Sequence, residues 1–369
     1  MADKNAQVND IEVRFQVLHQ FVDAARANLD DGAWDYLIGG AETETTQKRN
    51  RLALDRLAFR PRMMRDVNGL SAGTSFLGRD LRLPIILAPI GSLQQFYEEG
   101  GSGVSKAAGE FGVMHMLSSV CKPGLEAVAQ AAPDAHRIFQ LYVRGDADWV
   151  DDHIKRAMDN GYLGFCFTID LDYYGRRERD KAKGFISVAR QTQAQGEEFQ
   201  RSFNWDDFKR VRDKFDTPLM LKGIATAEDA EIAVKEGCDV IYVSNHGGRQ
   251  LDHGRGGIDV LPEVVQAVDG RAKVVLDGGI MRGADVVKAM ILGADAVGIG
   301  RLQGLAYAAA GTAGVVRMLE LLELEVQSVL GLLGVTGYDG LEAKHIISEP
   351  DAVNAPHALS AFPLRDEGY

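Results

Sequence analysis

The chain has 369 residues, of which 46% are hydrophobic and 25% charged, and its formal net charge is -12. That length suits two average domains or one large α/β barrel, and the composition is that of a globular protein with a sizeable core. The acidic balance argues against non-specific nucleic-acid binding and against a basic membrane-surface patch.

The start, M-A-D-K-N-A-Q-V-N-D, has no signal-peptide core, and no apolar run approaches a membrane span. The C-terminal D-E-G-Y is not a sorting tripeptide of the S-K-L kind, so the cytoplasm is the expected compartment. Cys121, Cys166 and Cys238 lie far apart with no C-x-x-C, which signals neither a disulfide framework nor a metal site. They are read as buried small side chains.

Val8 to Leu29 carries apolar residues at helical spacing, and Asp30–Asp31 is placed to cap a following helix that contains A-W-D-Y-L-I-G-G-A-E. Gly39 and Gly40 end or bend that helix, and Tyr36 near its end reads from spacing as packing. Thr43 to Leu57 reads as another helix. Beyond residue 84 the pattern turns periodic. Apolar runs recur at Pro84–Pro89, Val113–Ser118, Arg137–Tyr142, Gly164–Thr168, Pro218–Lys222, Asp239–Ser244, Lys273–Asp277 and Ala294–Gly300. Amphipathic stretches such as Thr226–Glu236, Leu261–Val268 and Gly283–Leu292 lie between them. Eight β-α alternations predict a (β/α)8 TIM barrel, with a doubly wound open sheet as the alternative. The expected organisation is one domain: an N-terminal helical segment (1–84), a barrel (85–346) and a tail (347–369), with a lid loop (171–204) after strand four. The lid's Gln191–Gln200 stretch reads as polar, without apolar anchors and mobile.

Polar or special residues end nearly every strand: Pro89-Ile90-Gly91, Ser118-Ser119, Gln140 with Tyr142, Thr168 with Asp170, Lys222-Gly223, Ser244-Asn245-His246, Asp277-Gly278-Gly279, and Gly300-Arg301. One such residue is a turn. Eight in register mark the face of a barrel where active sites sit. In S-N-H-G-G-R-Q-L-D, His246 and Arg249 stand three apart in a glycine turn, which suits an imidazole moving a proton beside a held carboxylate. The turns L-D-G-G-I-M-R-G and G-I-G-R singly read as tight turns. Together they point to a phosphate held by backbone N–H groups and Arg301. There is no G-x-G-x-x-G after the first strand and no Walker A motif.

These residues resemble the FMN-dependent (S)-2-hydroxy-acid oxidases and dehydrogenases, over about residues 33 to 346. S-N-H-G-G-R-Q-L-D is the most specific segment, supported by D-Y-L-I-G-G-A, F-Q-L-Y, T-I-D-L-D-Y-Y-G-R-R-E-R-D, L-K-G-I, L-D-G-G-I and G-I-G-R. The resemblance implies oxidation of a 2-hydroxy acid to the 2-oxo acid, with oxygen or another oxidant as final acceptor, and assembly into a homotetramer or octamer. It makes His246 the general base and Asp170 the carboxylate behind it. Arg177 and Arg249 become the carboxylate clamp, with Tyr36 and Tyr142 as substrate contacts, which reverses the packing reading of Tyr36. Lys222 matches the lysine near flavin N1. FMN maps to Pro89, Ile90, Gly91, Ser118, Gln140, Thr168, Lys222, Ser244, Asp277, Gly278, Gly279, Gly300 and Arg301.

Three departures qualify the match. A-P-I-G stands where A-P-T-A or A-P-T-G is common, and Val120 replaces a tryptophan found in glycolate oxidase. Gly91 and Val120 together imply an enlarged pocket and a substrate bulkier than glycolate. Met281 replaces a phosphate-binding arginine, implying weaker FMN binding unless Arg282 compensates. Rival readings are an FMN barrel of isomerase type, a flavin-free phosphate-binding lyase using Lys222 as a Schiff base, and a degenerate barrel serving as a binding module.

Overall fold

The structure is a computed structural model that describes residues 10–349, 357–362 and 365. Eight strands run in parallel: β1 (Ile85–Leu87), β2 (Met114–Ser118), β3 (His136–Leu141), β4 (Phe165–Thr168), β5 (Leu219–Ile224), β6 (Val240–Val243), β7 (Lys273–Leu276) and β8 (Ala296–Ile299). Each pairs with its successor, and β8 pairs with β1 through Val297↔Ile85, Gly298↔Ile86 and Ile299↔Leu87. That last pairing closes the barrel and excludes the open sheet.

The strands read as unbroken apolar runs because both their faces are buried. Their two-residue alternation nevertheless separates two cores. Ile86, Met114, Met116, Ile138, Cys166, Met220, Tyr242 and Val275 point inward and fill the barrel. Ile85, Leu87, Phe139, Phe165, Leu221, Ile241 and Val297 point outward against the helices. All three cysteines are buried and free, as their apolar settings imply.

The N-terminal segment supplies helices Gln20–Asn28, Asp31–Ile38 and Thr45–Asp55. The long helical reading from Val8 is interrupted: one helix ends at residue 14 and the next begins at Gln20, while Val8 itself lies outside the described residues. Asp30 caps Asp31–Ile38 by accepting from the Ala33 N–H at 2.7 Å. Helix Thr45–Asp55 turns a polar face toward the barrel. Arg51, almost wholly buried, pairs with Asp285 at 2.8 Å and donates to the Gly279 carbonyl. This ties the segment to the turn after β7.

The segment after β4 folds into short helices, Glu178–Ala182, Val188–Gln193 and Glu197–Ser202. The reading of Gln191–Gln200 as unanchored is corrected. Gln200 is buried, accepts from the Val143 N–H at 2.8 Å and donates to the Thr168 carbonyl at 3.1 Å, while Phe199 packs on the core. A polar stretch is docked here by hydrogen bonds, which hydrophobic patterning does not register. Among the described residues no helix is long and apolar enough to cross a membrane.

Candidate active site

Beyond β6 the chain leaves extended geometry at once. His246, Gly247 and Gly248 take left-handed φ values of 56°, 63° and 78°. At Gly248 a Cβ would lie 2.5 Å from the backbone nitrogen of Gln47, so only glycine fits. His246 has a side chain and sits in that region at a cost, which its bonds offset. Its N–H donates to Ser244 Oγ at 3.0 Å, and its Nδ1 lies 3.0 and 3.2 Å from the Asp170 carboxylate oxygens. With Nδ1–H donating to Asp170, the Nε2 lone pair is left free. Asp170 reaches this place across Gly223, where a Cβ would lie 2.8 Å from that of Asp170.

Burial pushes the His246 imidazole below its ordinary value, outweighing the opposite pull of Asp170. The ring is therefore neutral near pH 7 and ready to take a proton. Burial pushes the Asp170 carboxyl up, but the charge and hydrogen bond of His246, with Lys222, hold it below the usual range.

One wall of the cleft is cationic and aromatic. Arg249 donates to the Gly39 carbonyl at 2.8 Å and stacks 4.9 Å over the Tyr36 ring, while Arg177 lies 4.3 Å over Tyr174. Arg177 Nε is buried without a partner among the described residues. Burial and the neighbouring Arg177 lower Arg249, and burial with Arg249 pushes Arg301 down to about 9. Guanidinium groups stay protonated in proteins, so these shifts mean uncompensated positive potential, the condition for an anion site. Tyr36, Tyr142 and Tyr174 line the same cleft.

The cleft floor is a polar relay. Lys222 Nζ donates to Ser244 Oγ at 2.8 Å, Ser244 donates to Asp277 at 2.6 Å, and Lys222 also pairs with Asp277 at 3.2 Å. Burial pushes Lys222 down, yet Asp277 and Asp170 outweigh it and hold the ammonium above the usual lysine range. A lysine so paired and charged is not a Schiff-base nucleophile, which removes the lyase reading.

Pro89, Ile90, Gly91, Asp277, Gly278, Gly279, Gly300 and Arg301 line the cleft as expected. Ser118, Gln140, Thr168 and Ser244 are buried at strand ends just outside that lining. Both amide atoms of Gln140 and the Thr168 hydroxyl lack partners among the described residues. Buried polar groups are normally satisfied, so these three atoms call for a polar ring edge. Gly278 and Gly279 abut Asn50 so closely that a Cβ would lie 3.1 to 3.2 Å from it. A glycine turn of this kind can offer its backbone N–H groups to a phosphate. The set fits FMN: orphaned donors and acceptors for the ring, a buried ammonium beside it and a glycine turn for the phosphate.

The turn expected to hold the phosphate differs in detail. Met281 lines the cleft there. Arg282 does not compensate, because it turns away to pair with Glu325 at 2.6 Å. Arg301 donates to the carbonyls of Gly39 and Gly247 and to Gln47. Gln47, Asn50 and Arg51 from helix Thr45–Asp55 also line the cleft and were not singled out in the sequence. Their signal was a stripe of polar residues at helical spacing, visible in retrospect as a face too polar for packing and too ordered for solvent.

An FMN-dependent dehydrogenase family model matches residues 25–348. This chain belongs to that family. L-lactate oxidase of Nostoc sp. is 37% identical over 316 residues, covering 78% of this chain and 87% of the relative. 4-Hydroxymandelate oxidase of Amycolatopsis orientalis is 40% identical over 308 residues, covering 78% and 86%. Glycolate oxidase 1 of Zea mays is 36% identical over 362 residues, covering 92% and 96%. The crystal structure of mandelate oxidase superposes with a TM-score of 0.84 at 38% identity, covering 91% of this chain and 99% of that one. The protein is an FMN-dependent oxidoreductase of the 2-hydroxy-acid oxidase type, and the isomerase and binding-module readings fall.

Within this family frame, one expectation about the pocket is corrected. The space at Gly91 is not open. A Cβ there would lie 2.7 Å from both Ala189 Cβ and Val120 Cγ2. Ala189 of the lid helix Val188–Gln193 occupies it. Val120, Tyr142, Leu171 and Ala189 form a compact cluster at that wall. Tyr173 stands largely exposed beside Arg201, while Tyr174 and Phe96 line the cleft.

Proposed function

We propose that the protein oxidises an (S)-2-hydroxy acid to the 2-oxo acid, with His246 as base. The observation that carries this reading is the convergence of His246, backed by Asp170, with Arg177 and Arg249 in one cleft beside the FMN cradle. Arg177 and Arg249 hold the substrate carboxylate, with the rings of Tyr36 and Tyr142 against it, so that the hydroxyl faces His246 Nε2. His246 takes the hydroxyl proton, and Asp170 stabilises the imidazolium that forms. FMN, when bound, would supply the acceptor for the α-hydrogen with its electron pair, a hydride equivalent. Lys222 keeps a fixed positive charge beside the ring while Ser244 and Asp277 hold it in place.

Gly91 and Ala189, packed against each other, line the cleft together with Phe96 and Tyr174 as flat faces. The flat faces support a substrate with a larger side chain than glycolate, an aromatic 2-hydroxy acid of the mandelate type. Relatives named for mandelate and 4-hydroxymandelate support the same choice.

The test is anaerobic bleaching of the flavin by a panel of (S)-2-hydroxy acids, followed by admission of air. Bleaching by mandelate and recolouring in air give an aromatic-acid oxidase. Bleaching without recolouring gives a dehydrogenase with another acceptor. No bleaching by any acid overturns the reading.

A further inference from the structure

The lid helix Val188–Gln193 presents two residues one turn apart to the cleft, Ala189 and Gln193. The helix is held in register from the barrel side. The Ala189 N–H donates to Ser92 Oγ at 3.0 Å, and the Val188 N–H donates to Gln95 Oε1 at 3.2 Å. Ala189 is thereby seated on Gly91, and Gln193 is carried to a defined place one turn further along.

That place is unusual. Gln193 lines the main cleft and also a smaller adjoining cavity, shared with Tyr142 and Tyr174 and backed by Arg144 and Arg190. It is 9% exposed, yet its side-chain amide makes no hydrogen bond among the described residues. The next buried glutamine of the lid behaves oppositely, since Gln200 uses both amide atoms on the barrel backbone. The Gln193 amide atoms are not sealed from solvent but open onto the two cavities that the residue lines. Gln200 is satisfied by the fold, whereas Gln193 is left for what enters the cleft.

The charge of the surroundings narrows the ligand group. Arg190 is neutralised by Glu197 and lies 4.1 Å over the Tyr174 ring, and Arg144 donates to the Thr192 carbonyl. The smaller cavity carries one cation, Arg144, and one anion, Asp172, each without an ion pair among the described residues, so it favours neither sign of charge. A neutral donor or acceptor suits a neutral amide.

We propose that Gln193 is a specificity-determining residue that hydrogen-bonds a neutral polar substituent at the far end of the substrate side chain. The substrate class is then an aromatic (S)-2-hydroxy acid carrying a ring hydroxyl. This rests on the functional reading above and goes beyond it. The carboxylate is held at Arg177 and Arg249, the ring lies along Phe96 and Tyr174, and the hydroxyl reaches Gln193. A site built to bond a hydroxyl discriminates against the analogue that lacks it, because its own polar group is left unpaired.

The test uses the FMN-loaded protein and two probes that differ by one hydroxyl, (S)-mandelate and (S)-4-hydroxymandelate. Wild type is expected to favour the hydroxylated acid in kcat/KM by about 10-fold, the scale of one hydrogen bond. Gln193→Leu and the volume-conserving Gln193→Met are each expected to bring the ratio close to one by lowering kcat/KM for the hydroxylated acid, at unchanged FMN content. An unchanged ratio in both variants overturns the proposal, as does an equal loss on both acids at unchanged FMN content. If wild type oxidises only small aliphatic acids, the proposal falls and the hydroxy-acid reading stands. If no hydroxy acid bleaches the flavin, both fall.

Discussion

His246 concentrates three demands on one residue. It needs a left-handed backbone, a neutral ring and a carboxylate behind it. In the proposed role of base it works only when unprotonated, and burial lowers its affinity for protons. The acid limb of kcat/KM is therefore expected below the usual imidazole value of about 6.5, with activity lost as pH falls through the lowered value. A limb above that value in a pH-rate profile would contradict the burial argument. Asp170→Asn removes the group that pulls the ring's pKa up, so the limb should move to lower pH. Turnover should also fall by about 10²- to 10⁴-fold, the usual weight of acid–base assistance. His246→Ala should abolish turnover while the purified protein remains yellow. Unchanged turnover in that variant would remove the mechanism.

At the scale of elements, the lid and the turn after β1 act as a matched pair. Gly91→Ala does not merely fill a pocket, because its Cβ would meet Ala189 and Val120 at 2.7 Å. The expected result is a displaced lid helix, seen as raised KM and faster proteolysis at the lid. Ala189→Gly in the same chain removes one of the two clashes and should recover much of the lost KM. A double variant as impaired as Gly91→Ala alone would place the effect elsewhere. Met281 belongs to this scale too, since the turn after β7 carries the phosphate end without its expected cation. Met281→Arg should tighten FMN binding by roughly 10-fold, the scale of one charge-assisted hydrogen bond. A fluorescence titration of apoprotein with FMN reads it directly.

Across the whole molecule, the N-terminal segment is part of the active barrel. Arg51 reaches from helix Thr45–Asp55 to Asp285 and the Gly279 carbonyl with 4% and 2% side-chain exposure at the two charged partners. Removing one partner strands a buried charge. Arg51→Met should cost about 3–5 kcal/mol, read as a lower Tm, and should loosen FMN through the same glycine turn. A Tm within a degree of wild type would show that the pair is not buried in solution.

The chemistry of this protein was legible in the sequence because it sits at strand ends, where apolar runs stop and polar residues begin. The eight runs, the S-N-H-G-G-R-Q-L-D turn and the family match came from local pattern, and the barrel followed from counting. Three things did not. The filling of the space at Gly91 by Ala189 joins residues 98 positions apart. The docking of a polar lid through Gln200 uses hydrogen bonds, which hydrophobic periodicity does not see. Arg282 turns to Glu325 because a helix 43 residues further along the chain offers a carboxylate there. Residue types and their order determined which reaction the protein is equipped to perform. Which side chains share a wall, and so which substrate fits, was decided by long-range packing, because contact in space is set by the closed barrel and not by distance along the chain.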